Sequence, residues 1–168
     1  LNAPLYPGRL DAPKMRSMLT ELERELCRQV KTEKPDVPNL SNLDIDHLMP
    51  QSWYSCWPLE NGHMVTNSDA TVLNQIVLSG TDLTPEQLLV RKRQQAIATL
   101  GNLTLLNLSV NRSVQNAVFL KKRDALIVHT NLRLNIPLIL KDKWDEGEIL
   151  ERGKKLGEIA LKVWPKHD

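Results

Sequence analysis

Apolar residues at Met15, Met18, Leu19, Leu22, Leu26 and Val30 keep helical spacing, with Glu21, Glu23, Arg24, Glu25 and Arg28 on the other faces. Asp11 can cap this helix, Pro13 suits its first turn, and Lys34-Pro35 ends it. Pro35 to Asn42 reads as a linker. Leu43-Asp44-Ile45-Asp46-His47-Leu48-Met49 then alternates apolar and polar residues, which predicts a short strand stopped by Pro50. Trp53, Trp57 and Pro58 suggest a packed loop, and residues 70–78 read as a helix ending before Ser79-Gly80. Thr84-Pro85-Glu86-Gln87 opens a clearer helix that runs to about Thr99, with Thr84 as N-cap and Gln87 completing a capping box. Gly101 breaks the chain, and Leu103-Thr104-Leu105-Leu106 reads as a second strand. Residues 107–112 are polar and loop-like, followed by a helix from about Ser113 to Leu126. Asp145-Glu146-Gly147-Glu148 opens the last helix, whose apolar face is Ile149, Leu156, Ile159, Ala160 and Val163. The pattern predicts one mostly helical α+β domain over residues 1–168.

Composition fits a domain with a core. The chain has 168 residues, 41% hydrophobic and 25% charged. Cys27 and Cys56 stand far apart and form no CxxC pair, which excludes a zinc knuckle and gives no basis for a disulfide framework. No apolar run is long enough to span a membrane. A reducing cytoplasm is the expected compartment. The first residue is Leu1 rather than Met, so a piece of a longer protein is expected. The net charge of +2 hides an asymmetry. Residues 36–90 carry seven acids and no Lys or Arg, whereas residues 91–133 carry eight basic groups against Asp124 alone.

Polar residues interrupt otherwise buried-looking runs in two places, Asp44 to Gln51 and Gly101 to Arg112. A carboxylate beside an imidazole supplies a hard oxygen ligand and a base that titrates near neutral pH. Asn offers an amide oxygen to a metal or an amide donor to a carbonyl. An ideal strand points Asp46 and His47 to opposite faces and puts Asp44 with Asp46, so Asp44 is a rival ligand. Asn102 has a second reading, as the residue that closes a turn after Gly101. Arg91-Lys92-Arg93 and Lys121-Lys122-Arg123 read by default as solvated faces. Cys56 has no clear base beside it. His63, His129 and His167 follow no second motif.

DIDHLMPQSW followed by GNLTLLNLSVNRS resembles the signature of HNH nucleases, the ββα-metal or His-Me finger site. That family has an Asn at the start of its second strand and a second Asn or His nine residues on, as from Asn102 to Asn111. The wider pattern adds Phe119 with Lys121 and Lys122, then Trp144, Ile149, Arg152 and Val163-Trp164-Pro165. Together these resemble the C-terminal domain of GmrSD-type restriction enzymes, also found in SspE-type phosphorothioate-sensing phage-defence proteins.

The resemblance implies a ββα-metal core from residues 43–50 and 101–126, with 55–99 as a helical insert, 1–34 as an N-terminal helix and 134–168 as a C-terminal one. It implies a DNA endonuclease in which His47 is the general base. Asp46 and Asn111 would hold one divalent cation, Mg²⁺ or alternatively Mn²⁺. Asn102 would hydrogen-bond the backbone near His47 and so orient its ring. Beside such a site, Arg112, Lys121 and Lys122 are expected to contact phosphates. The implied partners are DNA and an N-terminal nucleotide-hydrolysing sensor domain, with no membrane. One site cuts one strand, so a double-strand break would need a dimer or two encounters. A non-catalytic DNA-binding module and an RNase are the alternatives.

Overall fold

A computed structural model describes residues 3–30, 40, 42–80 and 82–165. Its elements run α1 (Ala12–Arg28), β1 (Leu43–His47), α2 (Asn67–Ser79), α3 (Pro85–Ile97), β2 (Leu103–Asn107), α4 (Leu108–Val114), α5 (Phe119–His129), α6 (Ile136–Ile139) and α7 (Glu146–Val163). This is a mostly helical α+β domain around a two-stranded antiparallel sheet. The register sets Asp46 opposite Thr104 and His47 opposite Leu103.

Most helix starts follow their caps. Asp11 accepts from the Lys14 amide, Thr84 and Gln87 form a reciprocal capping box, and Asp145 accepts from the Glu148 amide. The α2 helix starts earlier than the apolar pattern indicated, because Thr66 and Asp69 form a second capping box. The end expected for α1 at Lys34-Pro35 lies outside the described residues, and α1 stops at Arg28.

The segment after β2 departs from expectation. Residues 108–112 are helical where a loop was expected, since the Asn107 side chain caps the Ser109 amide directly after the strand. The single helix expected over 113–126 is divided into α4 and α5 by a turn that no Gly or Pro marks.

The sheet separates two cores. Leu103 and Leu105 join Met15, Leu19 and Leu22 of α1 and Leu156 and Ala160 of α7. Leu106 lies in the other core with Leu48, Trp53, Trp57, Phe119, Leu126 and Trp144. Gly101 lets α7 approach the turn before β2: a Cβ there would stand 1.9 Å from the Ile149 carbonyl oxygen. Arg152 of α7 closes this contact by donating to the Gly101 and Leu103 carbonyls at 2.7 and 2.8 Å.

Several charges assigned to solvated faces are buried. Glu23 of α1 is fully buried and accepts from the Arg133 and Leu134 amides, both at 2.8 Å. Arg93 of α3 is buried as well. It pairs with Glu146 at 2.6 Å, donates to the Trp57 and Pro58 carbonyls and lies over the Trp53 ring. Helical spacing places Glu23 and Arg93 correctly on their helices, but it does not reveal that loops pack over them.

Candidate functional site

β1 ends at His47, and the carboxamide of Asn102 fixes where it ends. Asn102 is fully buried, and its carboxamide makes four hydrogen bonds to three residues. Its Oδ1 accepts from the Met49 amide at 2.8 Å and the Trp144 indole at 3.1 Å. Its Nδ2 donates to the Met49 and Ile97 carbonyls at 2.9 and 3.0 Å, and its backbone carbonyl accepts from the Leu48 amide. The chain is therefore turned out of the strand immediately after His47. Asn102 does more than close a turn, and the Trp144 bond ties this corner to the segment leading into α7.

Among the described residues β1 pairs with β2 alone, and its C-terminal half lines a polar cleft of about 470 Å³. Asp44, Asp46 and His47 all line it, although alternate strand residues point to opposite faces. Asn111 of α4 lines the same cleft. Its Oδ1 is buried and has no hydrogen-bond partner among the described residues. Such an orphaned oxygen costs free energy unless something accepts its lone pairs. A cation does so, and a carboxylate with a carboxamide forms a hard oxygen pair suited to Mg²⁺, which retains waters in its remaining positions. Among the described residues no group of three or more His, Cys, Asp and Glu side chains could hold a metal. Asp44, the rival ligand, is engaged by Arg16 of α1 at 2.8 Å.

His47 is half-buried, with one face packed and an edge on the cleft. Tyr6 stacks on its ring with centroids 5.7 Å apart, and the Tyr6 carbonyl lies 3.4 Å from Nε2. The Leu5 and Tyr6 amides anchor this segment by donating to the Ala98 carbonyl at 2.7 and 3.1 Å. Burial pulls the His47 pKa down to about 4. The Tyr6 carbonyl opposes that shift, and the Lys122 charge adds to it. The imidazole is thus neutral at pH 7. No sequence signal pointed to Tyr6, which lies in a stretch that reads only as irregular.

Lys122 is not where the sequence placed it. It is 1% exposed, and its ammonium donates to Asp46 Oδ2 at 2.9 Å and to the His47 carbonyl at 2.7 Å. A phosphate contact from a solvated Lys122 is therefore corrected to a buried ion pair. Burial pushes the Asp46 carboxyl up and the Lys122 ammonium down, while their mutual attraction opposes both shifts. Arg112 and Lys121 are exposed, on α4 and α5. Arg112 follows Asn111 directly, and neither Arg112 nor Lys121 lines the cleft.

A small sheet set among helices, with a neutral histidine, a carboxylate and an orphaned carboxamide on one cleft, defines a mostly helical α+β domain with a candidate hydrolytic site. The chain belongs to the family of GmrSD restriction endonuclease C-terminal domains, whose model matches residues 2–159. It is therefore a restriction-endonuclease-type domain. No curated protein and no solved structure matches the chain. Among the described residues no helix is long and apolar enough to cross a membrane.

Proposed function

We propose that this domain is a metal-dependent endonuclease of the HNH, His-Me finger kind that nicks or cleaves DNA as the effector of a restriction or phage-defence system. One observation carries the proposal: a neutral His47, Asp46 and Asn111, whose buried Oδ1 has no hydrogen-bond partner among the described residues, all line one cleft. Phosphodiester hydrolysis needs a deprotonated nucleophile and neutralisation of the charge that develops on the phosphate. Asp46 and Asn111 would hold the divalent cation, which when bound supplies that neutralisation.

The remaining work falls to His47 and the residues that hold it. With its proton on Nε2 and directed at the Tyr6 carbonyl, His47 presents the Nδ1 lone pair as a base. It takes a proton from water. The water oxygen bonds to phosphorus as the bond to the 3′ oxygen breaks, giving a 5′-phosphate and a 3′-hydroxyl protonated from solvent. Asn102 sets the turn that aims the ring. Arg112, which follows Asn111 directly, and Lys121 are exposed cations that would guide the backbone of the DNA.

Plasmid nicking tests the proposal. Wild type should nick supercoiled plasmid with Mg²⁺ and not with EDTA. His47→Ala should lose about 10²–10⁴-fold in rate, the usual contribution of a general base, while still binding DNA. Full activity in His47→Ala would sink the mechanism. Binding without cleavage under every metal would indicate a DNA-binding module, and cleavage confined to a structured RNA would indicate an RNase.

A further inference from the structure

The mechanism above has no task for Lys122, yet the fold places it with care. A buried ammonium carries a desolvation cost that only close partners offset. Phe119, one turn earlier on α5, stacks on Trp144 with ring centroids 5.5 Å apart, and Leu126, one turn later, is buried in the core. Between these anchors Lys122 reaches the end of β1. There it bridges two consecutive residues, through the Asp46 carboxylate and the His47 carbonyl. The other acid on this strand, Asp44, has its own cation in Arg16, so among the described residues Lys122 pairs with Asp46 and not with Asp44.

We propose that Lys122 is a positioning residue that acts as the resident counter-cation of Asp46. It keeps the Asp46–His47 corner assembled while no metal is bound, and it weakens the site's affinity for a divalent cation. The inference rests on the reading of Asp46 as a metal ligand. Its physical basis is competition for one carboxylate. A cation bound to Asp46 shares that group with a buried ammonium, which repels it and already satisfies part of its charge. Without Lys122, a buried carboxylate would stand unpaired until a metal arrived. The metal-free state is therefore stabilised at the expense of metal affinity, and the site would fill only where the cation is abundant or where bound phosphate adds negative charge.

Mn²⁺ binding by the 168-residue chain, measured by calorimetry at pH 8 alongside thermal melts in EDTA and in saturating Mn²⁺, tests this. The variants are Lys122→Met, which removes the charge, and Lys122→Gln, which also removes it but keeps a donor for the His47 carbonyl. Both should bind Mn²⁺ more tightly than wild type, by on the order of tenfold or more. Both should melt lower than wild type in EDTA and gain more from Mn²⁺. Asp46→Asn should abolish the binding. A variant that is unfolded in EDTA and folds with Mn²⁺ supports the proposal. A lower Tm with unchanged or weaker Mn²⁺ affinity overturns it, as does a failure of both variants to fold with Mn²⁺. If neither wild type nor any variant binds Mn²⁺, the metal-site reading itself fails. If wild type and both Lys122 variants bind equally while Asp46→Asn does not bind, only the role of Lys122 fails; equal binding by Asp46→Asn sinks Asp46 as a ligand.

Discussion

His47 is the residue whose chemistry depends most on its surroundings. An imidazole in water is half protonated near pH 6.5. Here burial holds it near 4, so it stays a neutral base across the physiological range. The shift is also a statement about stability. Between about 6.5 and about 4 the unfolded chain binds a proton at this position that the folded chain does not. Acidification through that window therefore favours unfolding, by up to about 3 kcal/mol for a full shift. The His47 ring signals should titrate by NMR with a midpoint near 4. In urea melts at pH 7, 6, 5 and 4, His47→Gln should lose less stability than wild type over the same window. A midpoint near 6.5, or parallel losses in the two proteins, would show that the ring is solvated. The residues of this corner were unequally legible in the sequence. His47 and Asp46 stand out because polar groups interrupt an apolar alternation, and Asn102 because of its spacing to Asn111. Tyr6 and Lys122 do not, because a stacking ring and a buried ammonium are created by contacts between distant parts of the chain. A lysine in a basic run looks the same whether the fold covers it or leaves it in water.

Local chemistry wrote the elements clearly where a cap or a break was present. β1 followed from alternation, α3 and α7 from their N-terminal residues, and β2 as a short apolar run after the break at Gly101. The division between α4 and α5 was not legible, because tertiary packing of Phe119 on Trp144, rather than a glycine or proline, sets where α5 begins. Gly101 shows how an element can depend on a single missing carbon. Its added Cβ would stand 1.9 Å from the Ile149 carbonyl oxygen and 2.8 Å from the Gly153 nitrogen, both backbone atoms of α7. Gly101→Ala must push α7 away and disturb the adjoining Asn102 and Arg152 bonds. A loss of about 1–3 kcal/mol or more is expected, the usual range for overpacking. Gly153 packs on the same spot from the other side, but its Cβ would meet Gly101 at 3.6 Å, an ordinary contact. Gly153→Ala should be neutral or stabilise α7 by roughly 0.5–1 kcal/mol through helix propensity. Denaturant melts of the two variants should separate clearly, and equal effects would mean that α7 does not seat on Gly101 as described.

Across the whole molecule, the acidic stretch of residues 36–90 and the basic stretch of 91–133 meet in the fold, and their cations divide into two kinds. Arg93 and Lys122 are consumed inside, by Glu146 and Asp46, and Arg123 is engaged by Asp142. Arg91, Lys92, Arg112, Lys121 and Arg133 remain exposed, Arg112 directly after the candidate ligand Asn111. Counting basic residues in the sequence therefore overstates what DNA would meet, and the net charge of +2 conceals which cations face outward. If the cleft takes DNA, affinity should respond to the outward cations and to salt. Each phosphate contact releases counterions, and removing one should reduce the slope of log K against log salt by about 1. Arg112→Gln and Lys121→Gln should each flatten that slope and weaken plasmid binding at low salt, while leaving the melting temperature near wild type because both side chains are solvated. Lys122→Gln should do the opposite, lowering the melting temperature with no change in slope, because its charge is already spent on Asp46. Binding titrations between 50 and 200 mM salt, a range over which phosphate contacts are strongly screened, would read all three variants together. A slope insensitive to Arg112 and Lys121 would move the DNA path to another face of the domain.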